Sequence, residues 1–324
     1  MNSLKSKILG VCLLALSAGA ALAQAWPPAT VRIVVPYPPG SEPDVLARDL
    51  GAALAKQTGK TFVVDNKPGA NSIIGTGEVV KGGSDGSVLL MVDRLAVVTN
   101  PMLYSKMPYK WEDSLKPVSD LAGVRLFIAV RDDFPARTYA EFLSYAKASP
   151  GKVTVGTGGM GHVTHIGMAM VAQAQGLSFT YVPYKGVMPA MQDLLSGSVD
   201  AAMAGGLVMQ TQAASKRVRV LVVGDDKRAI VLPDVPTVAE AGGVAGSIPA
   251  TVFSLLAPAK VPDEVVDQIS AAVAKAMGSP EVKNSYAVKG LDIAPTTPSK
   301  TLALMKGDAP IFEKIIRDAG MKLD

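Results

Sequence analysis

Cysteine is nearly absent from this chain, whose single copy, Cys12, lies in an apolar stretch close to the N-terminus. Histidine occurs only twice, at His162 and His165, and aromatic residues amount to 5% of the chain. An intrachain disulfide is therefore excluded, and so is a thiol nucleophile if the segment that holds Cys12 is cleaved off. With two histidines, the sequence offers little material for the acid–base and metal chemistry of enzymes.

The N-terminus has the pattern of a secretory signal peptide. Lys5 and Lys7 form a short basic region, residues 8–22 are apolar, and two overlapping A-x-A cleavage motifs follow. The apolar run is too short for a transmembrane helix, which needs about 20 residues. We therefore expect residues 1–25 to be a signal peptide, removed on export. A large chain without disulfides suits a bacterial periplasm.

No second apolar run is long enough to cross a bilayer, and Lys and Arg form no cluster. Without Lys5 and Lys7, 30 basic residues stand against 28 acidic ones, so the net charge falls from +4 to +2. The electrostatic footprint of a nucleic-acid-binding protein is missing. We expect a soluble exported protein that does not bind nucleic acid.

Short β-branched runs alternate with amphipathic helical patterns along the chain. The predicted strands are 31–35, 62–65, 88–92, 125–130, 152–156, 179–184, 199–204, 218–223 and 251–257. The predicted helices are 43–57, 73–81, 138–148, 163–175, 187–196, 262–277 and 299–319. This alternation predicts an α/β fold with mostly parallel sheets that helices cover on both faces.

Nine or more strands would make one large sheet, so two lobes with a cleft between them are the more economical arrangement. We expect lobe 1 to comprise residues 26–122 and 246–324, and lobe 2 to comprise residues 123–245. In this division the C-terminal segment returns to complete the first lobe.

The corner after the first predicted strand is unusually rich in proline and glycine. Residues 36–39, PYPP, cannot extend the strand because proline lacks an amide donor, and Gly40 permits a sharp turn. Ser41 as N-cap and Asp44 three residues later predict a capping box and a helix start. A corner at the carboxyl end of a parallel strand is a favourable place for an anion to bind. The alternative interpretation is an ordinary capped turn between strand and helix.

A glycine-rich motif follows a later strand. Residues 156–161, GTGGMG, have the spacing of a dinucleotide-binding loop between a predicted strand and a predicted helix. The next strand ends in Pro183, Tyr184 and Lys185, without the acid that would bind a ribose hydroxyl. We therefore expect no cofactor, and a loop that offers backbone amides to a small anion. Gly158 and Gly159 would be small so that these amides approach the solute.

Two further patterns match catalytic motifs in residue type but not in their predicted structural context. Residues 82–86, GGSDG, match a nucleophile elbow, but they lie between a helix and a strand in the wrong order, which indicates a turn. His162 and His165 have no cysteine and no acid nearby in sequence, so we expect no metal site. Without a serine at a proper elbow, a hydrolase is disfavoured as well.

Several separated stretches, in order along the chain, together resemble the substrate-binding proteins of tripartite tricarboxylate transporters, the Bug-type receptors. They are VRIVVPYPPGSEPDVLAR, FVVDNKPGANSIIGT, DGSVLLM, the segment from Asn100-Pro101 to Leu103-Tyr104, VPYKGVMPAMQDLLSGSVDAAM, LPDVPTVAEAG and LLAPAKVPDEVV. The resemblance implies a type II-like periplasmic binding protein whose two lobes close on a small solute. It implies a carboxylate as ligand and delivery to integral-membrane transporter subunits, and we expect a monomer without cofactor.

The resemblance also implies where the ligand binds. By position, the family's loops fall on residues 37–42, 69–75 and 157–165, and Tyr184 would border the cleft. The residues expected to contact the ligand from these places are Tyr37, Gly40, Ser41, Glu42, Asn71, Ser72, Thr157, Gly158, Gly159, His162, His165 and Tyr184.

The chain departs from the family pattern at three places. Residues 41–43 replace small polar residues, Asp93 and Arg94 stand where small or hydroxyl residues are usual, and Ala204 stands where an acid is common. If Arg94 faces the cleft it can hold a carboxylate in a bidentate contact, and Glu42 or Asp93 can meet an amine or amide of the same solute. The alternative is that Arg94 and Asp93 point to solvent, or that Arg94 neutralises Glu42.

Three functions remain to be compared. A solute receptor fits best, a periplasmic sensory subunit with the same fold is the second interpretation, and an exported enzyme is the third. The missing thiol, the misplaced serine motif and the missing ribose acid argue against the enzyme. The chain itself does not separate transport from sensing.

We predict that the exported protein starts at Gln24 or Trp26, because signal peptidase cleaves after the last small residue of an A-x-A motif. Mass spectrometry of the exported protein should show the corresponding loss. Exported protein that still carries residues 1–20 would contradict this prediction.

Overall fold

The computed structural model of the protein describes residues 26–249 and 251–323. The predicted signal peptide and Cys12 lie outside these residues. Within them the strands, in chain order, are β1 (Thr30–Val35), β2 (Thr61–Asn66), β3 (Val88–Asp93), β4 (Leu115–Val124), β5 (Leu126–Arg131), β6 (Thr154–Thr157), β7 (Thr180–Pro183), β8 (Ala201–Gly205), β9 (Val218–Val223), β10 (Thr251–Pro258) and β11 (Leu291–Ile293).

Helices lie between most of the strands. They are α1 (Glu42–Thr58), α2 (Ile73–Val80), α3 (Arg94–Leu103), α4 (Trp111–Ser114), α5 (Tyr139–Ala148), α6 (Val163–Gln175), α7 (Val187–Ser196), α8 (Gly206–Ala213), α9 (Asp263–Met277), α10 (Pro280–Ala287) and α11 (Pro298–Asp318). All nine predicted strands and all seven predicted helices are present, with ends shifted by up to two residues.

The strands form two separate sheets, one for each lobe, which confirms the two-lobed α/β arrangement. The first sheet has the order β11-β4-β10-β3-β1-β2 and the second the order β7-β6-β8-β5-β9. Most strands of each sheet run in one direction, as predicted, but β10 runs antiparallel to both β3 and β4, β11 runs antiparallel to β4, and β5 runs antiparallel to both β8 and β9. A strand that crosses directly from a neighbouring lobe, without an intervening helix, enters the sheet in the opposite direction.

The chain passes between the sheets at two places. Arg125 is the one residue between β4 in the first sheet and β5 in the second, and the return lies between β9 and β10. The boundaries expected at residues 123 and 245 remain a proposal. Because β4 continues almost directly into β5, a short stretch of extended backbone joins the lobes.

Both faces of each sheet are buried, as the continuous apolar strands indicate. In β1, Ile33 and Val35 pack with α1 and α9 on one face, whereas Val34 packs with α3 and α11 on the other. In β5, Ile128 belongs to the apolar cluster on one face of the second sheet and Phe127 to the cluster on the other. Successive side chains of a strand point to opposite faces, so a run without polar residues fills two cores at once.

The elements that were not predicted from sequence are β4, β11, α3, α4, α8 and α10. Two of them, β4 and α3, have sequences that argue against the structure they adopt. The strand β4, LKPVSDLAGV, contains Pro117 and Asp120, and its pairing with β10 is interrupted by two register shifts. The helix α3, RLAVVTNPML, has three β-branched residues at positions 97–99 and contains Pro101. Proline and internal acids disfavour a strand, and proline disfavours a helix interior, so neither segment shows the usual pattern.

The helices α3 and α11 join the lobes. Leu103 from α3 and Phe312 and Ile316 from α11 belong to the apolar cluster of the second sheet, although α11 also packs against β4 of the first. The amide of Leu323 donates to the carbonyl oxygen of Leu103 at 2.9 Å. Within the described chain, none of the helices combines the length and apolarity needed to span a bilayer.

Candidate functional site

A cavity of about 960 Å³ lies between the two sheets. Ten of the predicted ligand-binding residues line it: Tyr37, Ser41, Glu42, Asn71, Ser72, Asp93, Gly158, Gly159, His162 and Tyr184. Four predicted residues do not: Gly40, Arg94, Thr157 and His165. The loops that sequence reasoning selected therefore converge on one site, and the four exceptions have structural roles that are described below.

The corner after β1 is held from behind by a carboxylate. Gly40, in the left-handed region with φ of 80°, is exposed, and its amide donates to Asp44 Oδ2 at 2.9 Å. Asn66 Nδ2 donates to Asp44 Oδ1 at 2.9 Å and to the carbonyl oxygen of Tyr37 at 3.1 Å. The predicted capping box is corrected, because Ser41 Oγ donates to the carbonyl oxygen of Pro38 instead of capping α1. Gly40 thus shapes the corner from the solvent side.

The loop before α2 has an uncommon backbone. Ala70, Asn71 and Ser72 follow one another in the left-handed region, with φ of 45°, 46° and 73°. Each such residue other than glycine costs about 1–2 kcal/mol. Consecutive left-handed residues at a cavity wall indicate that the surrounding contacts hold this loop in one shape.

An asparagine pair supplies those contacts. Asn71 Nδ2 donates to Asn100 Oδ1 at 2.7 Å and to the carbonyl oxygen of Gly161 at 3.1 Å, and Asn100 Nδ2 donates to the carbonyl oxygen of Asn71 at 2.8 Å. Gly161 belongs to the loop that follows β6, so Asn71 bridges the lobes. Sequence reasoning did not select Asn100, although it lies in the Asn100-Pro101 stretch that carried part of the resemblance.

The loop after β6 is organised by its own hydroxyl and imidazole groups. Thr157 is buried and its Oγ1 donates to the carbonyl oxygen of Gly159 at 3.3 Å, so it fixes the loop without facing the cavity. His165 is also buried, and its Nδ1 accepts from the amide of Gly161 at 3.0 Å. His162 caps α6 by accepting from the amide of Thr164 at 3.3 Å.

Both histidines are neutral at neutral pH. Burial lowers the pKa of His162 and of His165 from 6.5 to about 4, and the proximity of His165 lowers that of His162 further. Because each Nδ1 accepts a hydrogen bond from a backbone amide, the proton of each ring resides on Nε2. His162 therefore presents an uncharged ring to the cavity.

The expected role of Gly158 is corrected. Its amide is not free for a solute, since it donates to Thr164 Oγ1 at 2.9 Å. A Cβ atom on Gly158 would lie 2.7 Å from His162 Nδ1, so glycine is required here by the packing of that ring. Gly159 has a φ of 130°, which disfavours other residues, and a Cβ there would approach the carbonyl oxygen of Tyr184 at 3.3 Å.

Arg94 does not face the cavity. Its Nη1 contacts Asp120 Oδ2 at 2.5 Å and its Nη2 contacts Asp308 Oδ2 at 3.1 Å, and its side chain is 11% exposed. Asp93 ends β3 and Arg94 begins α3, where its side chain is directed to the two acids and not into the cavity. The prediction that Arg94 holds a carboxylate of the ligand is corrected, and so is the alternative in which it neutralises Glu42.

Glu42 lies on the cavity wall and bridges the lobes. Its Oε1 accepts from the amide of Leu207 at 3.1 Å, at the start of α8, and the amide of Val208 donates to the same carboxyl group. A Cβ atom on Gly205 would lie 2.1 Å from Glu42 Oε2, so only glycine fits opposite it. Burial nevertheless raises the pKa of Glu42 from 4.5 to about 7.

Asp93 is the second acid on the wall. It caps α3, since its Oδ1 accepts from the amide of Leu95 at 3.0 Å, and its own amide donates to the hydroxyl oxygen of Tyr37 at 3.2 Å. Burial raises the pKa of Asp93 from 3.8 to about 7, against the lowering effect of Arg94. Phe253 packs edge-on against Tyr37 beside it.

Besides α3, whose cap Asp93 lies on the wall, the amino ends of five helices meet at this cavity. Its lining includes Ser41 before α1, Ser72 before α2, His162 before α6, Gly186 before α7 and Gly205 before α8. Each helix leaves several amides without a partner at this end and carries a partial positive charge there. The arrangement can bind an anion without a lysine or arginine in contact with it.

Comparison with known proteins identifies the family. The sequence profile of the tripartite tricarboxylate transporter family receptors, TctC, matches residues 46–321. This chain belongs to that family. The family is one of receptors that bind substrates, so the receptor class predicted from sequence is confirmed.

Three solved structures share the fold of this receptor. The periplasmic binding protein BugD is 29% identical over 92% of this chain and 100% of its own, with a TM-score of 0.84. The R. palustris protein Rpa4515, solved with adipate, is 28% identical over 92% of this chain and 100% of its own, with a TM-score of 0.85. MatC from Rhodopseudomonas palustris, with bound malate, is 26% identical over 90% of this chain and 100% of its own, with a TM-score of 0.82.

We predict that Arg94→Ala destabilises the receptor instead of removing a ligand contact. The substitution leaves the buried Asp120 and the partly buried Asp308 without their cation, and loss of the partner of a buried charge costs about 3–5 kcal/mol. Urea unfolding should show this loss of unfolding free energy. The exposed pair of Arg228 and Glu240 provides the control, since Arg228→Ala should cost about 0–1 kcal/mol. An unchanged unfolding midpoint for Arg94→Ala would contradict the assignment.

Glu42 and Asp93 make the stability of the receptor depend on pH. The folded state holds their protons to about pH 7, whereas the unfolded chain releases them near pH 4, so the unfolding free energy falls as the pH rises through this interval. Each unit of pKa shift corresponds to about 1.4 kcal/mol. Thermal melts between pH 5 and pH 8 should give a shallower decline for Glu42→Gln than for the wild type. The exposed Glu112→Gln should keep the wild-type slope, and an equal slope for Glu42→Gln would refute the prediction.

Proposed function

We propose that this receptor captures a small carboxylate-bearing solute between its lobes and delivers it to the integral-membrane subunits of a tripartite tricarboxylate-type transporter. In this proposal it acts as a monomer in the periplasm, after loss of residues 1–25. The periplasmic location agrees with BugD, a periplasmic binding protein of the same fold.

The convergence of five helix amino ends on one cavity carries this proposal. A carboxylate placed there lies at the positive ends of the helices. Since Glu42 already binds the first amides of α8 and His162 that of Thr164 in α6, its hydrogen bonds must come from the other helix ends. Adipate in Rpa4515 and malate in MatC are both carboxylates, which supports the same ligand class here. The cavity volume of about 960 Å³ accommodates a metabolite of that size.

Closure of the lobes follows from the contacts that cross the cavity. Asn71 reaches the carbonyl oxygen of Gly161, and Glu42 reaches the amide of Leu207. Both contacts join loops of different lobes, so they exist only while the lobes are together. A ligand that binds to both sides stabilises this closed state over the open one.

The proposal is tested by a thermal-shift panel that contains adipate, malate, other mono- and dicarboxylates, and matched neutral amides and amines. A carboxylate at 100 times its dissociation constant should stabilise the protein by about 2.7 kcal/mol. Small-angle scattering with that ligand should show a radius of gyration no larger than without it. A panel in which only compounds without a carboxylate raise the melting temperature would overturn the proposal.

We predict that Asn71→Asp weakens the binding of every carboxylate in the panel. Aspartate tolerates the left-handed backbone but replaces a donor by an acceptor, which faces the oxygens of Asn100 and Gly161. Calorimetry should show a loss of affinity of about tenfold or more, as expected for lost hydrogen bonds across the closed cleft. Asn284→Asp, on the exposed side of α10, should bind as the wild type does. Equal affinities for both variants would exclude the Asn71 bridge from closure.

A further inference from the structure

The cavity wall has few charged groups, and they differ in exposure and in the number of hydrogen bonds that the protein provides to them. Among the described lining residues they are Glu42, Asp93 and Lys185. Lys185 is exposed, and the carboxylate of Glu42 is bound by the first amides of α8. Asp93 is only 4% exposed, yet a single hydrogen bond, from the amide of Leu95 to Oδ1, reaches its carboxylate from the described residues.

The second carboxylate oxygen of Asp93 is therefore open to a partner. Arg94, the adjacent cation, is directed away to Asp120 and Asp308. The hydroxyl oxygen of Tyr37 accepts from the amide of Asp93, which places the phenol beside the backbone of that residue. Buried carboxylates are rarely left with a free oxygen, so the open position points to a group that the ligand brings.

A second buried polar group lies at the same end of the sheet. Thr251, 3% exposed, lines the cavity, and its Oγ1 has no hydrogen-bond partner among the described residues. Asp93 is paired across the sheet with Phe253, two residues after Thr251, so all three side chains lie on one face. The hydroxyl of Thr251 is a second polar group on this face of the sheet that the described residues leave without a partner.

The carboxylate of Asp93 favours a hydrogen-bond donor as its partner. A second carboxylate of the ligand would meet the charge of Asp93 with no cation to offset it, because Arg94 is already paired with two acids. A nitrogen that carries a hydrogen can donate it to the open carboxylate oxygen of Asp93. Tyr37 and Phe253, whose rings pack edge-on, line the cavity beside this position.

We propose that Asp93 determines specificity by accepting a hydrogen bond from an amide or ammonium nitrogen of the solute. The preferred ligand then has a carboxylate at one end and such a nitrogen at the other, and plain dicarboxylates bind less well. This inference rests on the proposed function, because the carboxylate end is assigned to the helix amino ends.

Matched compounds test the preference. Calorimetry at pH 8.5, where Asp93 is ionised, compares adipate with its monoamide and with 6-aminohexanoate, and succinate with succinamate and 4-aminobutanoate. For at least one chain length, a nitrogen-bearing compound should bind about 10- to 100-fold more tightly than the dicarboxylate, the range given by one hydrogen bond to a charged group.

Asp93→Asn is the decisive variant. Asparagine caps helices as well as aspartate does, so α3 should keep its cap. Because burial disfavours the charge of Asp93, the melting temperature of the variant at pH 8.5 should equal or exceed that of the wild type. The preference for nitrogen over carboxylate should fall to about threefold or less, because an amide replaces the charged acceptor. Asp226→Asn, an exposed change of the same charge, should keep the full preference, and Glu42→Gln should shift both members of each pair alike.

The outcomes separate this inference from the proposed function. Dicarboxylates that bind the wild type as tightly as their monoamides would overturn the role of Asp93 and leave the carboxylate receptor intact. A preference that survives Asp93→Asn would assign it to another residue and would also overturn the inference. If none of these six compounds bound and only compounds without a carboxylate did, the proposed function itself would be overturned.

Discussion

The amino ends of five helices point at one cavity, and the position of every binding loop depends on that constraint. In an α/β lobe the helix that follows a parallel strand starts at the carboxyl end of the strand, so its partial positive charge lies at that edge of the sheet. Here two such edges face one another, with Ser41 and Ser72 on one side and His162 and Gly205 on the other. The receptor can therefore attract an anion from both lobes without placing an arginine in the cleft.

Two carboxyl groups of the protein itself lie on the cavity wall, at the positive ends of helices. Glu42 occupies the amino end of α8 as a ligand would, and so links the lobes. Asp93 caps α3 with one oxygen only and keeps the other unused. Burial raises the pKa of both carboxyl groups to about 7, so each is held close to its point of ionisation at neutral pH. Apart from these two acids, Lys185 is the charged residue among the described lining residues of the cleft.

Rigidity at the site comes from contacts behind the loops. Asn66 and Asp44 hold the proline-rich corner, and Asn100 holds the left-handed turn at Asn71. The conformational cost of that turn is offset by the hydrogen bonds of the asparagine pair. Because Asn71 also reaches Gly161, a loop shaped within one lobe becomes part of the contact between lobes. The geometry of the cleft and the closure of the lobes are therefore coupled through the same residues.

Local pattern in the sequence determined most of the fold and the three loops of the site. The nine β-branched runs became strands, the proline-rich corner became a strand–helix turn, and ten predicted residues line the cavity. These features depend on residues that are close together in the sequence, so the local residue pattern predicts them. The tertiary structure alone decided the rest. It placed β4 and α3 despite Pro117 and Pro101, since burial against β10 and α11 outweighs local preference. It also turned Arg94 away from the cavity and Asp93 into it, because the face on which a side chain leaves a strand end depends on register with distant strands.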